Sequence, residues 1–225
     1  VGVFARDVAA VETMLSCFPA WAPDTLPERP LRIAMLPAKV WEGADTATRS
    51  VIERMADAIS ATGDTVIDLP DAAPFLEMIE AQKVVMGYEI PRALSWELET
   101  HPDLLSDELR EFCEVSLDIT HLAYAQALEV ADRFRLMARG LFAEIDAIMG
   151  PAAAQLAPEG LSWTGDPFVN RIWSLSKLPA VALPSAAAEN GLKGSVQLNA
   201  GAGQDAKLCA IAARYAPLAA EVRPG

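Results

Sequence analysis

The fold class read from the sequence is α/β, with a mixed and largely parallel sheet flanked by helices, and three observations point to it. Residues 31–69 run strand, helix, strand. Long helical runs follow, with apolar residues recurring every three or four positions. Two short apolar strands then close the chain, each bounded by proline, glycine or asparagine. With 225 residues, 52% of them apolar and 22% charged, there is ample material for one core. No linker, repeat or low-complexity stretch divides it.

The elements follow in order. Residues 4–18 place Val8, Val11, Met14, Leu15 and Phe18 on one helical stripe. Pro19, Pro23, Pro27 and Pro30 then impose a loop, because proline removes a donor and fixes the backbone. Residues 31–36 alternate as a strand ending at Pro37. A helix is expected over 46–62, stopped by Gly63, and a strand over 65–69. Two such strands joined by a helix imply parallel pairing. Residues 72–99 read as helical with a break at Pro91. Residues 106–145 carry Leu122, Ala125, Leu128, Ala131, Phe134, Ala138, Leu141 and Ile145 on one face, with a bend near Ile119 and Thr120. A buried strand at 146–149, a loop at 152–166, a short helix at 168–177, strands at 180–183 and 194–199, and a helix at 204–216 complete the reading.

The formal net charge is −13, unevenly distributed. Residues 151–225 carry five acids and six bases, a net of +1; the remaining 26 acids and 12 bases give residues 1–150 a net of −14. Such a field repels phosphate backbones, so nucleic acid is a poor partner. No apolar run approaches the ~18–20 residues that span a bilayer, and no membrane partner is expected. Cys17, Cys113 and Cys209 are widely spaced in helical contexts, neither a disulfide framework nor a zinc site. They read as buried thiols in a reducing cytoplasm. The start at Val1 shows no signal peptide and reads as entry into the interior of a fold.

Several motifs fail on context. Gly201-Ala-Gly-Gln-Asp-Ala206 fits a dinucleotide fingerprint, yet only 19 residues follow it, too few for the second strand and its acidic residue. It reads as a tight strand-to-helix turn, and no cofactor is expected. His101 and His121 have no metal-ligand spacing, and no metal is expected. No serine lies in a G-x-S-x-G elbow. Ser195 falls within a strand pattern, and Asp107, Glu108 and Glu111 form a polar helix face. The run from Thr164 to Trp173 differs, because it concentrates aromatic and polar residues just before a buried strand. It either lines a cleft at the strand ends or plugs a loop onto the core through Trp163, Phe168 and Trp173.

Several stretches, taken in order, resemble the amidase-signature family. Asp146-Ala-Ile-Met-Gly-Pro151 is similar to its "D-x-hydrophobic-hydrophobic-x-P" strand. Lys177-Leu-Pro-Ala-Val-Ala-Leu-Pro184 resembles its "G-x-P-A-hydrophobic-x-hydrophobic-P" run, and Gly191-Leu-Lys-Gly-Ser-Val-Gln-Leu-Asn199 its "G-L-P-x-G-hydrophobic-Q" strand. Val1-Gly-Val-Phe-Ala-Arg-Asp-Val8 is similar to "G-x-x-A-R-S-V". Lys177 stands where the family has glycine, Lys193 where it has proline, and Asp7 and Ala10 where it has serine and aspartate. These departures bear on substrate class more than on fold.

The resemblance implies part of an α/β/α sandwich that hydrolyses carbon–nitrogen amide bonds. A neutral lysine would deprotonate a serine held by a cis peptide, which activates a nucleophilic serine. In the family those groups precede the Ala-Arg-Asp-Val stretch, and no Gly/Ser-rich run occurs here. No catalytic residue is therefore carried over, and residues 1–225 are expected to be the C-terminal part of a single amidase-signature domain. The chain alone is expected to be inactive. Trp163, Phe168, Asn170 and Trp173 are the implied substrate-pocket wall. Implied partners are a small amide substrate and the N-terminal half of the same domain, with a homodimer left open. Two other readings stand beside this one: the amidase subunit of an amidotransferase, and a non-catalytic acidic α/β binding module.

Overall fold

The computed structural model of the chain describes residues 2–19 and 21–224. Helix α1 (Val8–Leu15) begins at Asp7, whose carboxylate accepts from Ala10 N at 2.8 Å. Its apolar stripe is only partly used: Val8 is buried, whereas Met14 and Phe18 are exposed. Strand β1 (Arg32–Met35), helix α2 (Thr46–Ala61) and strand β2 (Thr65–Asp68) form the expected unit, with β1 and β2 parallel and Ile33 opposite Val66. Val51, Ile52, Met55 and Ile59 form the fully buried stripe of α2.

Helix α3 (Ala73–Ala93) runs through Pro91 instead of breaking there. Pro91 sits in its last turn, where one lost donor is tolerated, and the chain restarts as α4 (Ser95–Thr100). The long periodic run divides into α5 (Asp107–Ser116) and α6 (His121–Glu144). Thr120 marks the division, its hydroxyl accepting from Ala123 N at 3.1 Å as an N-cap. The buried face of α6 is Ala127, Ala131, Phe134, Ala138 and Phe142, and Leu122 is exposed at the first turn.

Strand β3 spans Ala147–Pro151, entirely buried and one residue later than expected. Asp146 stays outside because its N–H donates to Arg32 O and its side chain turns to cations. Helix α7 (Phe168–Ser176), strands β4 (Ala180–Ala187) and β5 (Lys193–Asn199), and helix α8 (Asp205–Glu221) complete the chain. The turn from β5 into α8 needs Gly203, at φ +76°, and Gln204 closes it by accepting from Gly201 N. Helix α8 outlasts the expected end, passing through Pro217.

The strands form one sheet in the order β2-β1-β3-β5-β4. Pairing is parallel among β2, β1 and β3, and antiparallel on both sides of β5. Helices α2 and α8 pack on each other and on β4 and β5, while α3, α6 and α7 pack together around Phe75, Phe134 and Trp173. Both sets join one core cluster. Cys113 and Cys209 are buried as expected, and burial pushes the Cys209 thiol up to about 11. Cys17 lies past the end of α1 and is exposed, contrary to the expectation of three buried thiols. No helix among the described residues is long and apolar enough to cross a membrane.

At the amino ends of β1 and β3 the polar groups are all engaged. Asp146, 1% exposed, takes both nitrogens of Arg29 at 2.7 and 2.9 Å, Lys207 at 2.8 Å and Arg32 N at 2.9 Å. Burial alone would raise its carboxyl, but the hydrogen bonds from Arg29, Lys207 and Arg32 outweigh it and hold Asp146 well below the usual carboxylate range. Asp64 is built alike. Leu31 N, Tyr215, Thr62 and Arg214 overcome the desolvation of its carboxylate and lower it.

Candidate functional site

A cleft of about 400 Å³ opens beyond the carboxyl end of β3, where the sheet changes from parallel to antiparallel pairing. That is where open α/β sheets leave room for ligands, because neighbouring connections diverge there. Its walls are residues 152–158 after β3, residues 164–167 before α7, Asn170, and the start of β5 from Lys193 to Ser195, with Thr48 of α2 at one side.

Three side chains set the shape of these loops. Asp45 caps α2 through Thr48 N at 2.7 Å, and its other oxygen accepts from Leu156 N at 3.4 Å. Its own N–H donates to Ala154 O, so the 152–158 loop is bound to the start of α2. The Asn170 amide donates to Ala152 O at 2.8 Å, joining α7 to the same loop. Asp166 accepts from Phe168 N at 2.9 Å and turns the chain into α7. Gly165 supplies a left-handed residue, φ +97°, just before it.

The far end of α7 is held differently. Arg135 of α6 donates to Leu175 O at 2.7 Å and to Ser176 O at 3.3 Å, covering carbonyls that the helix leaves free. Lys177 then adopts φ +60°, the one non-glycine residue in the left-handed region among those described. The sequence departure at this position has a physical meaning: the backbone needs the conformation that glycine takes without cost.

Of the four residues expected at a pocket wall, Asn170 lines this cleft. Trp163 stands next to it in the chain and is 53% exposed. Phe168 is half-buried against the core. Trp173 is 5% exposed and packs edge-on to Phe75, ring centroids 6.4 Å apart; its indole N–H has no acceptor among the described residues. The structure brings to the cleft three residues that sequence reasoning left aside, Thr48, Lys193 and Ser195. Lys193 had one signal, its departure from proline; Thr48 had none, since its position depends on the fold of α2 against the loop.

Among the described residues there is no cluster of histidine, cysteine or acidic side chains that could hold a metal ion. His101 and His121 are both exposed. His121 stands beside Tyr88 and Tyr124 on α3 and α6, its ring nitrogen 3.3 Å from the Tyr88 hydroxyl. It is not among the residues that line the cleft.

A family model described as Amidase matches residues 1–209. Among solved structures the chain is similar to an amidase (21% identity, TM-score 0.81), covering 92% of this chain and 50% of that one. It is also similar to 6-aminohexanoate cyclic dimer hydrolase (20%, TM-score 0.67; 98% and 55%). A third match is the native peptide amidase from Stenotrophomonas maltophilia (18%, TM-score 0.66; 98% and 53%). The chain thus spans about half the length of the solved structures it matches. No curated protein matches it by sequence.

Proposed function

This chain belongs to the amidase family, and we propose that it is the C-terminal part of a hydrolase of carbon–nitrogen amide bonds. Its cleft at the end of β3 forms one wall of the substrate site. The observation that carries the reading is the position of that cleft: in a family-matched sheet, the loops after β3 and before α7 converge with the start of β5 at the carboxyl end of β3. The reactive groups, a nucleophilic serine, a bridging serine in a cis peptide and a neutral lysine, come from sequence upstream of Val1. Upstream backbone amides complete an oxyanion hole.

Two features support an upstream partner segment. Strand β4 is an edge of the sheet, and Ala180, Ala182 and Pro184 along one of its faces are exposed. An eight-residue edge strand with a bare apolar face suits coverage by further polypeptide. The loop between β3 and α7 also leaves Leu161 and Trp163 exposed. Asn170 belongs to the substrate wall through the cleft it lines. Phe168 and Trp173 serve that wall from behind, by seating α7.

The test is to read the gene upstream of Val1, express the complete product and measure ammonia or amine release from small amides. A lysine followed by a Gly/Ser-rich run, with activity abolished by replacing either, is the expected result. An unrelated upstream domain, or no amide turnover by the complete product, would sink the proposal.

A further inference from the structure

We infer that the cleft carries a subsite for a substrate carboxylate, built on Lys193 and Ser195. The inference rests on the reading of this cleft as a substrate wall and adds a substrate class to it. Lys193 and Ser195 are two positions apart on β5, so their side chains share one face of the strand, roughly 6.5–7 Å apart along it. Both line the cleft. Gly194, between them, also lines the cleft, and a Cβ there would meet Val51 and Ser185 at 3.1 and 3.3 Å.

What distinguishes this pair is that it is unspent. The ion pairs among the described residues engage Lys39, Lys83 and Lys207 but neither Lys177 nor Lys193, and of those two Lys193 lines the cleft. Ser185, on the partner strand, donates to Ala186 O at 2.7 Å, and Gln197 donates to Asn199. Ser195, two residues before Gln197, has no such internal partner among the described residues. The other ionisable side chain of the cleft, Asp166, has one oxygen accepting from Phe168 N at the start of α7, and Lys193 is the one cation in the lining. The remaining wall is small and mostly apolar, with Ala152, Ala153, Ala157 and Pro167. A cation and a hydroxyl side by side in such a wall match the two oxygens of a carboxylate.

Every wall residue except Thr48 comes from residues 152–195, a stretch whose three acids and three bases balance, in contrast to the net of −14 over residues 1–150. An anion in the cleft therefore meets a local segment without net negative charge. A lysine presents three rotatable donors on a flexible stem, suited to bind and orient an anion.

The experiment uses the complete gene product with succinamate and its uncharged methyl ester as a matched pair. Wild type should favour succinamate by about tenfold in kcat/KM. Lys193→Met should erase that preference, raising KM for succinamate about tenfold more than KM for the ester, and Lys193→Arg should restore most of it. Ser195→Ala should weaken succinamate alone by a smaller factor. Calorimetric titration with glutarate reads the subsite without turnover: wild type should bind it about tenfold more tightly than Lys193→Met. Equal loss on both substrates, no preference in wild type, or equal glutarate binding by wild type and Lys193→Met would overturn the subsite. A product that turns over neither amide while glutarate still distinguishes the variants would remove the hydrolase reading and keep the anion subsite.

Discussion

The two ends of the sheet solve opposite problems with similar residues. At the amino ends of β1 and β3, Asp146 and Asp64 are each about 1% exposed and surrounded by Arg29, Lys207, Arg214, Tyr215 and backbone N–H groups. At the carboxyl end, Lys193 and Ser195 face a cleft with no internal partner among the described residues. One end closes its charges upon themselves and gains a fixed arrangement of strands. The other leaves charge available, which contributes nothing to stability and leaves room for a ligand. Charge pairing and the open cleft are thus separated along the strand axis, and substitutions at the two ends should separate in the same way.

The largest effect is expected at the closed end. Asp146→Asn removes the charge that two cations share, and should destabilise the protein by about 3 kcal/mol in chemical denaturation, since breaking a buried pair strands its partners. It should also change the response to acid. The folded Asp146 and Asp64 carboxyls lie below their unfolded values. Their contribution is therefore complete above about pH 5 and lost as pH falls below the unfolded value of ~3.9 towards the folded one. The acid limb of a stability–pH profile should be shallower in Asp146→Asn than in wild type; superimposable limbs would mean that the Asp146 cluster is not what acid breaks.

Tyr215→Phe is a gentler probe of the same end. It deletes the hydroxyl that donates to Asp64 at 2.8 Å while Leu31 N, Thr62 and Arg214 remain. A loss of about 1–2 kcal/mol is expected in urea melts, and a change near zero would show that the remaining donors suffice.

Lys177→Gly should act in the opposite direction. The left-handed backbone at Lys177 (φ +60°) costs a side-chain-bearing residue about 1 kcal/mol, partly offset by the greater freedom of glycine in the unfolded chain. A gain of about 0.5 kcal/mol is the expected net. Destabilisation would mean that the lysine side chain holds something the backbone argument omits.

Asn170→Ala, at the cleft, should be the mildest in global stability. It frees Ala152 O in a partly exposed loop, so a loss of under about 1 kcal/mol is expected. Its signature should be local: faster amide hydrogen exchange in residues 152–158 with little change elsewhere. A uniform acceleration across the sheet would break the proposed division between the two ends.

Legibility followed the same division. The elements were readable where a period repeats. The stripe Val51, Ile52, Met55 and Ile59 announced α2, and the bend expected near Ile119 and Thr120 is where α5 and α6 divide. Elements misjudged were those in which a local rule met a tertiary one. Pro91 was read as a break, yet its place in the final turn of α3 lets the helix continue past it. Cys17 was read as buried, although the chain leaves the core before reaching it. At the site, Asn170 was legible from a loop-to-helix passage dense in polar and aromatic residues. Thr48 and Ser195 were not, because they come from segments about 116 and 22 residues away from that passage.

The sequence by itself determined the elements, the order of helix and strand and the family, because those depend on local periodicity, caps and short ordered motifs. The tertiary structure alone decided that β5 runs against its neighbours, that Asp146 and Asp64 find their cations, and that Lys193 finds none. Those outcomes depend on which distant side chains arrive at the same place, and burial and charge pairing become definite only once the strands have taken their register.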